Sequence, residues 1–406
     1  MTQLLFGRIC YMPVAPCHTV VQHFSLPLNE SQVEAWATEQ RSVLAGPVTF
    51  GLLFCAADAL PHAREILEIV RIYAQTPVVL GCAADGLIAD SEEMEGGEGF
   101  CLALHHLPGT RAHAIHLEES LLLEGGSSGL SRAMGPLTAS ANAWILLAAA
   151  GNLSHDSWLR DWDQATQGRP TVGGFTGNPA NDSTALFCHG NVHSGGAVAL
   201  ALEGDVTIEP LLSQGCRPVG SPWTITRADH NIIHQVGNRP ILEVLRDTLQ
   251  ELSSDEQQQA RGNIFIGLVM DEYKASFGTG DFLVRNLAAI DPQTGAVAIA
   301  TPPRVGQNLQ FQIRDAVTAS VDFEELLKQR LRELGQRAVY GACLCDCIGR
   351  GSSLFGVSNH DVGVVNQFLP EMPLSGLFCN GELAPVGGRT LLHGYAASLG
   401  LFVAKK

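Results

Sequence analysis

The chain has 406 residues, of which 46% are hydrophobic and 16% charged, and this composition is typical of a globular protein with well-buried cores. The formal net charge of -16 argues against nucleic acid or an anionic membrane surface as the main partner, because both need clustered Lys and Arg side chains. No apolar run approaches the roughly 20 residues of a membrane span, and the first residues do not resemble a signal peptide. We therefore expect a cytoplasmic protein.

A recurring unit begins at Pro47, after a helix-like segment around Val33–Trp36. The continuous apolar run 48–55 predicts a buried strand, residues 63–73 a helix, and residues 77–82 a second strand. An acidic, Gly-rich hairpin and a further strand at 100–105 follow. A similar order returns at 143–202, where residues 154–167 are predicted to be helical.

One short pattern marks the second strand of each unit. It reads Pro77-Val-Val-Leu-Gly in the first copy, Pro170-Thr-Val-Gly-Gly in the second and Met372-Pro-Leu-Ser-Gly in a third. The pattern predicts three copies of one strand–helix–strand–hairpin unit, each burying its open face against its neighbours. The strands that end at Ala83, Thr176 and Cys379 are then expected to be equivalent.

A different region separates the second and third copies. It contains a predicted hairpin at 222–236, an amphipathic helix at 240–252 and several strands up to residue 317, before a helix at 323–334. We place a domain boundary near Asn238. The predicted organisation is an N-terminal extension (1–40) and two domains (41–238 and 239–406), and the predicted fold class is α/β with helices flanking the sheets.

The third copy carries the most polar strand ends. The loop 346–351 contains Cys347 and Arg350, and the next strand runs into Asn380 and Glu382. Ligands of α/β proteins tend to bind outside the carboxyl ends of the strands. We expect these four residues and His393 to converge on one pocket, where Arg350 would bind an anionic group and Asn380 and Glu382 an amine or amide. The alternative is that Arg350 and Glu382 only pair with each other.

Two further arginines interrupt apolar strands. Arg285, followed by Asn286, lies in the run 281–286, and Arg314 lies in the run 311–315. An unpaired buried cation is costly, so we expect both guanidinium groups to be partly buried and paired with carboxylates or carbonyls. Ligand binding and a purely structural network are both consistent with this pattern.

The sequence lacks the main nucleotide and metal motifs. No P-loop, no G-x-G-x-x-G after a strand and no His-Glu-x-x-His occurs. The run 125–129 matches a hydrolase nucleophile elbow only formally, because its setting predicts a small-residue linker. Cys343, Cys345 and Cys347 alternate along one strand, a spacing that does not suit zinc. Cys347, at the strand end beside Arg350, is the candidate for an accessible thiol with a lowered pKa.

Several of these segments together resemble the FIST family. They include Pro77-Val-Val-Leu-Gly-Cys, Gly215-Cys-Arg-Pro-Val-Gly, Asp281-Phe-Leu-Val-Arg-Asn, Phe311-Gln-Ile-Arg-Asp, Cys347-Ile-Gly-Arg-Gly, Asn380-Gly-Glu and His393-Gly-Tyr. The resemblance covers about residues 43 to 402, as a FIST N domain followed by a FIST C domain. It implies a sensory protein that binds a small ligand, such as an amino acid or derivative, and signals through a separate partner.

The resemblance leaves the cofactor and the partner open. Some similar bacterial proteins are haem-binding nitric-oxide sensors paired with histidine kinases, so haem and a histidine kinase are candidates here. A relative with an F-box in front acts as a ubiquitin-ligase adaptor, but the first 40 residues are too short for an F-box. The rival interpretations are a Cys-dependent enzyme, using Cys347 with Asp361 or His393, and an interaction scaffold without a pocket. We favour the stand-alone sensor over the enzyme.

Overall fold

The described residues form three six-stranded sheets and one seven-stranded sheet, with helices packed on the outer faces of the six-stranded sheets. The computed structural model describes residues 17–153, 157–176, 184–278, 280–370 and 372–406. The α/β fold class expected from the sequence is confirmed. Continuous apolar runs such as 50–55 and 143–149 form strands that are buried throughout, as central strands covered on both faces should be.

The first unit has two parallel central strands joined by a helix. Its elements are β1 (Thr19–Phe24), α1 (Glu30–Val43), β2 (Phe50–Cys55), α2 (Ala63–Tyr73), β3 (Val79–Ala83), β4 (Gly86–Ala89), β5 (Glu92–Glu95) and β6 (Phe100–His105). Strands β2 and β3 are parallel, and β6 and β1 extend the sheet with antiparallel pairing on the other side of β2. The β4–β5 hairpin leaves this sheet and pairs with another one.

The second unit repeats this order with more helices before its first central strand. Its elements are β7 (Thr110–Leu117), α3 (Glu119–Glu124), α4 (Gly126–Met134), α5 (Leu137–Ser140), β8 (Ala143–Ala149), α6 (Ser157–Ala165), β9 (Thr171–Thr176), β10 (Leu186–Cys188), β11 (Asn191–His193) and β12 (Ala197–Gly204). The run 125–129, which the sequence predicts to be a linker, instead begins helix α4. Of the predicted helix 154–167, residues 154–156 lie outside the described residues.

The third unit begins with β13 (Val206–Ser213) and is interrupted by the seven-stranded sheet, which we call the inserted sheet. The inserted sheet and its helices comprise β14 (Cys216–Asp229), β15 (Ile232–Val236), β16 (Arg239–Pro240), α7 (Ile241–Glu251), α8 (Ser254–Gln259), β17 (Ile264–Val269), β18 (Phe282–Asp291), β19 (Ala296–Ile299) and β20 (Asn308–Arg314). The run 311–317, which the sequence places at the end of the strands of this region, in fact completes β20 and then enters a helix capped by the Asp315 side chain.

The third unit then resumes and completes the repeat. Its remaining elements are α9 (Ala316–Leu334), β21 (Val339–Cys347), α10 (Gly351–Phe355), α11 (His360–Phe368), β22 (Leu374–Cys379), β23 (Glu382–Val386), β24 (Arg389–His393) and β25 (Ala397–Ala404). Strands β21 and β22 are parallel, and β25 and β13 flank β21 with antiparallel pairing.

The three units exchange their hairpins in a ring. The sheets run β1-β6-β2-β3-β10-β11, β7-β12-β8-β9-β23-β24 and β13-β25-β21-β22-β4-β5. Each sheet therefore has four strands of its own unit and one hairpin from another unit. The predicted equivalence is confirmed, because β3, β9 and β22 all lie between their parallel partner and an incoming hairpin.

A glycine at the same place in each unit explains the shared sequence pattern. A Cβ atom at Gly81, Gly173 or Gly376 would lie 1.8, 1.9 or 2.0 Å from a carbonyl oxygen of the parallel partner strand. Only glycine permits so close an approach of two backbones.

The inner faces of the three sheets share one central core. Its buried members include Phe54 of the first sheet, Ile145 of the second and Phe402 of the third. Separate apolar clusters lie between each sheet and its outer helices. Strands from before and after residue 238 lie in the same sheets, and β1 belongs to the first of these sheets. The domain boundaries near residues 40 and 238 therefore stay predictions from the sequence.

Candidate functional site

A cavity of about 270 Å³ lies between the inserted sheet and the strand ends of the third unit. Its lining residues are Val284, Arg285, Asn286, Ala300, Thr301, Cys347, Ile348, Gly349, Asn380, Gly381, Leu392, His393, Gly394 and Tyr395. Pockets for drug-sized ligands begin at about 300 Å³, so this volume suits a smaller molecule. A larger depression along α1, about 620 Å³, is an open surface groove lined by residues such as Glu34, Glu39 and Tyr73.

Arg285 on β18 brings a positive charge to the cavity wall. Its Nε donates to the Thr301 hydroxyl at 2.6 Å, and its Nη1 donates to the carbonyl oxygens of Leu392 at 2.8 Å and Val284 at 3.1 Å. The residue is only 7% exposed. The prediction that Arg285 is buried and paired with carbonyls is therefore confirmed, and these bonds hold the guanidinium at the junction of the inserted sheet and β24.

His393, the last residue of β24, has one buried ring nitrogen without a hydrogen-bond partner among the described residues. Its Nε2 lies 3.2 Å from the Ala384 carbonyl oxygen, so we infer that Nε2 carries the proton and donates it. Burial, with a further contribution from Arg285, lowers the pKa of His393 to about 3 and keeps the ring neutral. Nδ1 is then an acceptor, and it has no hydrogen-bond partner among the described residues. A buried acceptor left unmatched costs about 1–3 kcal/mol.

Three other predicted residues line the same cavity. Asn286 and Asn380 expose amide groups that both donate and accept hydrogen bonds. Cys347 is only 6% exposed, and burial, followed by the nearby Glu382, raises the pKa of its thiol. The expected lowered pKa is wrong, because the strand end is buried beside a carboxyl group and does not face a cation that would stabilise the thiolate.

Arg350 does not reach the cavity wall. It is fully buried, and its Nε and Nη2 donate to the two carboxylate oxygens of Asp361 at 2.5 and 3.0 Å. Asp346 lies 3.2 Å from the same Nε. Arg350 therefore pairs with Asp361 on α11, and the alternative in which it pairs with Glu382 is wrong. The planar guanidinium is held by the bidentate geometry that arginine favours with carboxylates.

The two aspartates beside Arg350 have opposite pKa shifts. Burial would raise the pKa of Asp361, but the Arg350 guanidinium outweighs it and holds that pKa well below its usual range. Burial, followed by the charge of Asp361, raises the pKa of Asp346 well above its usual range. One carboxylate thus neutralises the arginine while the other stays protonated, which is the usual outcome when two carboxyl groups share one buried cation.

Glu382 also lies behind the cavity. It is fully buried, and its carboxyl oxygens accept from the backbone N–H groups of Gly381 at 3.2 Å and Ala396 at 3.1 Å. Burial raises its pKa to about 8, although these two donors act in the opposite direction. It is not among the lining residues, so the structure does not bring it to the position where it was expected to bind an amine.

Arg314 supports the wall of the cavity from outside. Its Nη1 donates to the Gly349 carbonyl at 2.8 Å, and its guanidinium lies 4.5 Å from the centroid of the Tyr395 ring. The prediction that it is partly buried and paired with a carbonyl is confirmed. Of the five residues predicted to converge, Cys347, Asn380 and His393 line the cavity together. Sequence reasoning missed Tyr395 and Thr301 as lining residues, although Tyr395 lies in the His393-Gly-Tyr motif.

The cavity does not fit haem. A haem macrocycle is larger than a typical drug-sized ligand, whereas the volume here is below the range for such ligands. Among the described residues, no group of three or more His, Cys, Asp or Glu side chains is arranged to hold a metal ion. None of the described helices has both the length and the apolar character needed to cross a membrane.

Comparison with known proteins identifies the class to which this fold and cavity belong. The FIST N domain model matches residues 49–239, and the FIST C domain model matches residues 242–385. The chain belongs to the FIST family.

Similar proteins occur in mycobacteria. An uncharacterized protein of Mycobacterium tuberculosis (strain H37Rv) is 32% identical over 377 residues, which cover 93% of this chain and 97% of that protein. An uncharacterized protein of Mycobacterium bovis is 33% identical over 377 residues, covering 92% and 96% respectively. The similarity therefore extends over almost the whole length of both proteins.

Proposed function

We propose that this chain is a cytoplasmic sensory protein that binds a small anionic ligand in the cavity and signals through a separate partner protein. The observation that carries the proposal is that Arg285 and the polar residues Asn286, Asn380 and His393 line one small cavity. A positive charge beside neutral polar groups suits a small anionic molecule. FIST domains are associated with sensory signalling, which agrees with this assignment.

The position of the cavity explains how binding would be signalled. One wall comes from the inserted sheet and the other from the loops after β21 and β22. A ligand that contacts both walls would stabilise the arrangement in which the walls are close together. Binding would therefore shift the population toward this arrangement and away from one in which the walls are farther apart. The loop 347–349 leads directly to Arg350, which is fixed to Asp361 on α11.

The connection continues to the outer helices. The Nδ1 of His360 lies 2.9 Å from Asp361, its Nε2 lies 3.1 Å from the hydroxyl of Ser320 on α9, and its ring stacks on Phe355 of α10. Loop movement at the cavity would therefore reach a helical surface that a partner, such as a histidine kinase, could contact. The net charge of -16 favours a protein partner over nucleic acid or an anionic membrane.

An enzyme that uses Cys347 as nucleophile has less support. The raised thiol pKa leaves little thiolate near neutral pH. The two proposed bases are also engaged, since Asp361 pairs with Arg350 and the Nε2 of His393 bonds to Ala384. We therefore do not propose a catalytic role for Cys347.

Native mass spectrometry of freshly purified protein tests the proposal. We expect a retained small molecule, or binding from a library of small carboxylates with a rise in Tm. The variant Arg285→Gln removes the charge, and we expect it to weaken binding at least tenfold, since hydrogen bonds to a charged group contribute about 1.5–3 kcal/mol. Arg239→Gln is the matched control on the same inserted sheet, because Arg239 is exposed and its ion pair with Asp247 lies at the surface.

Circular dichroism must show that both variants are folded. Equal binding by wild type and Arg285→Gln, or no binding of any small molecule by the wild type, would reject this function.

A further inference from the structure

The first turns of α9 and the loop between α10 and α11 expose three valines. Val317 and Val321, one helical turn apart on α9, are 73% and 55% exposed, and Val357 in the loop is 55% exposed. We call these three residues the valine surface. A single exposed valine is ordinary, but a group of exposed apolar side chains marks an interaction surface.

Two side-chain contacts show that these segments adjoin. The hydroxyl group of Ser320, which lies between the two valines of α9, is 3.1 Å from the Nε2 of His360. The ring of His360 stacks on the ring of Phe355, with 3.5 Å between the ring centroids. Val357 follows Phe355 by two residues, so all three valines lie near the contact between Ser320 and His360.

The valine surface is also poor in charge. Residues 316–321 and 351–359 contain no Asp, Glu, Lys or Arg, although 16% of the whole chain is charged. The centres of protein interfaces are depleted of charged residues in the same way. The surface lies at the end of the connection from the cavity, because His360 contacts Asp361, which is the partner of Arg350.

Acidic side chains border the valine surface. Further along α9, Lys328 pairs with both Glu324 and Glu325, so that two carboxylates share one ammonium group. Beside α10, the exposed carboxylate of Glu95 accepts from the backbone N–H and the hydroxyl group of Ser352. Two copies of the chain, each with a net charge of -16, would bring like charges together here, whereas a basic partner would be attracted.

We propose that the valine surface binds an amphipathic helix of a separate protein, whose apolar face packs on the valines and whose Lys or Arg side chains pair with the acidic border. Val317 and Val321 form a ridge along α9, and such ridges pack into the grooves of another helix. This inference rests on the proposed function and names the chemistry of its partner.

Two helical peptides of about 18 residues test the inference by fluorescence anisotropy at neutral pH. Both carry leucines three and four residues apart, and the other positions are lysine in one peptide and glutamate in the other. We expect the lysine peptide to bind at least tenfold more tightly than the glutamate peptide, because only its charges complement the acidic border.

A double variant separates apolar packing from general attraction between opposite charges. Val317→Ser/Val321→Ser keeps the net charge but removes apolar area, and we expect it to bind the lysine peptide at least tenfold more weakly than the wild type. Ile72→Ser is the matched control, because Ile72 is 50% exposed on α2 of the first unit. It should bind the lysine peptide as the wild type does, and circular dichroism checks that both variants are folded.

Cross-linking locates the contact even if the double variant does not fold. A photoreactive lysine peptide should cross-link to the wild type within residues 316–321 and 351–359, and cross-links confined to other segments would overturn the inference. No binding of the lysine peptide, equal binding of both peptides, or equal binding by the wild type and the double variant would also overturn it.

The oligomeric state tests the other occupant. A wild-type dimer in light scattering that becomes a monomer in the double variant would overturn the inference, since a second copy would then cover the valine surface. These measurements need no small ligand. Retention of a ligand in native mass spectrometry is therefore decided separately, and failure of the peptide experiments leaves the proposed ligand binding untouched.

Discussion

The strand ends of the third unit differ in chemistry from the same positions in the first and second units. The glycine pairs Leu53–Gly81, Leu146–Gly173 and Leu344–Gly376 align the three units. By this alignment Asp346 corresponds to Cys55 in the first unit and Ala148 in the second. The backbone is therefore repeated, while a buried carboxyl group replaces small apolar side chains in one copy.

The incoming hairpins show the same difference. Leu383, Phe187 and Ile88 each pair with the equivalent glycine. Glu382 thus corresponds to Leu186 and Leu87. Among the described residues, the inserted sheet lies against the strand ends of the third unit, where it forms one wall of the cavity. The candidate site therefore differs from the equivalent positions of the other units at a few strand-end residues and in the presence of the inserted sheet.

The largest expected effect is the loss of the buried Arg350–Asp361 ion pair, which lies beside Asp346, the residue that corresponds to Cys55 and Ala148. In Arg350→Met the Asp361 carboxylate stays buried without its partner, and we expect the free energy of unfolding to fall by about 3–5 kcal/mol. Chemical denaturation measures this change. Arg239→Met, which breaks an exposed pair, should cost less than about 1 kcal/mol.

A double variant shows whether the cost is electrostatic. Arg350→Met combined with Asp361→Leu removes both charges, and it should be more stable than Arg350→Met alone. A single variant as stable as the wild type would contradict a structural role for this pair.

The next effect is a pH dependence that comes from Glu382, where the other units have leucine. Its folded pKa of about 8 lies above its ordinary value of 4.5. The folded state therefore favours the protonated form of Glu382. The resulting stabilisation is fully present below about pH 4.5 and is lost as the pH rises toward 8. The free energy of unfolding should fall by about 1.4 kcal/mol for each pH unit in this window.

The variant Glu382→Gln isolates that contribution. It loses one hydrogen bond at every pH, because its amide nitrogen cannot accept from a backbone N–H. The difference in unfolding free energy between wild type and variant should then change with pH by the slope given above. A difference that stays constant from about pH 5 to pH 8 would show that Glu382 ionises normally in the fold.

The smallest effect tests the similarity of the units. Gly81→Ala and Gly376→Ala each place a methyl group against a backbone carbonyl, and each should cost about 1–3 kcal/mol or more. Gly363→Ala on α11 is the control, since a methyl group there meets no atom within 4 Å and should be neutral or slightly stabilising. Tm values of the three variants provide the comparison. A large difference between the first two variants would weaken the equivalence of the units.

Much of the repeat could be predicted from the sequence, because a short pattern encodes a local need. The glycine of Pro77-Val-Val-Leu-Gly is required by close strand contact, and the apolar runs identify the buried central strands. Edge strands such as β1, β7 and β13 were missed. They are half exposed and mix polar with apolar residues, so they lack the continuous apolar signal of a central strand.

The sequence by itself determined which residues are chemically unusual. Arg285, Arg314 and Arg350 stand in or beside apolar strands, and a cation there must find a partner. Only the tertiary structure decided which partner each one has. Arg350 meets Asp361 across the turn into α11, whereas Arg285 is brought by the inserted sheet against β24. The position of residues at strand ends predicts that their loops lie close together. Which residues line the cavity depends in addition on the direction of each side chain and on the inserted sheet. Both are set by contacts between residues far apart in the chain, which the sequence does not reveal.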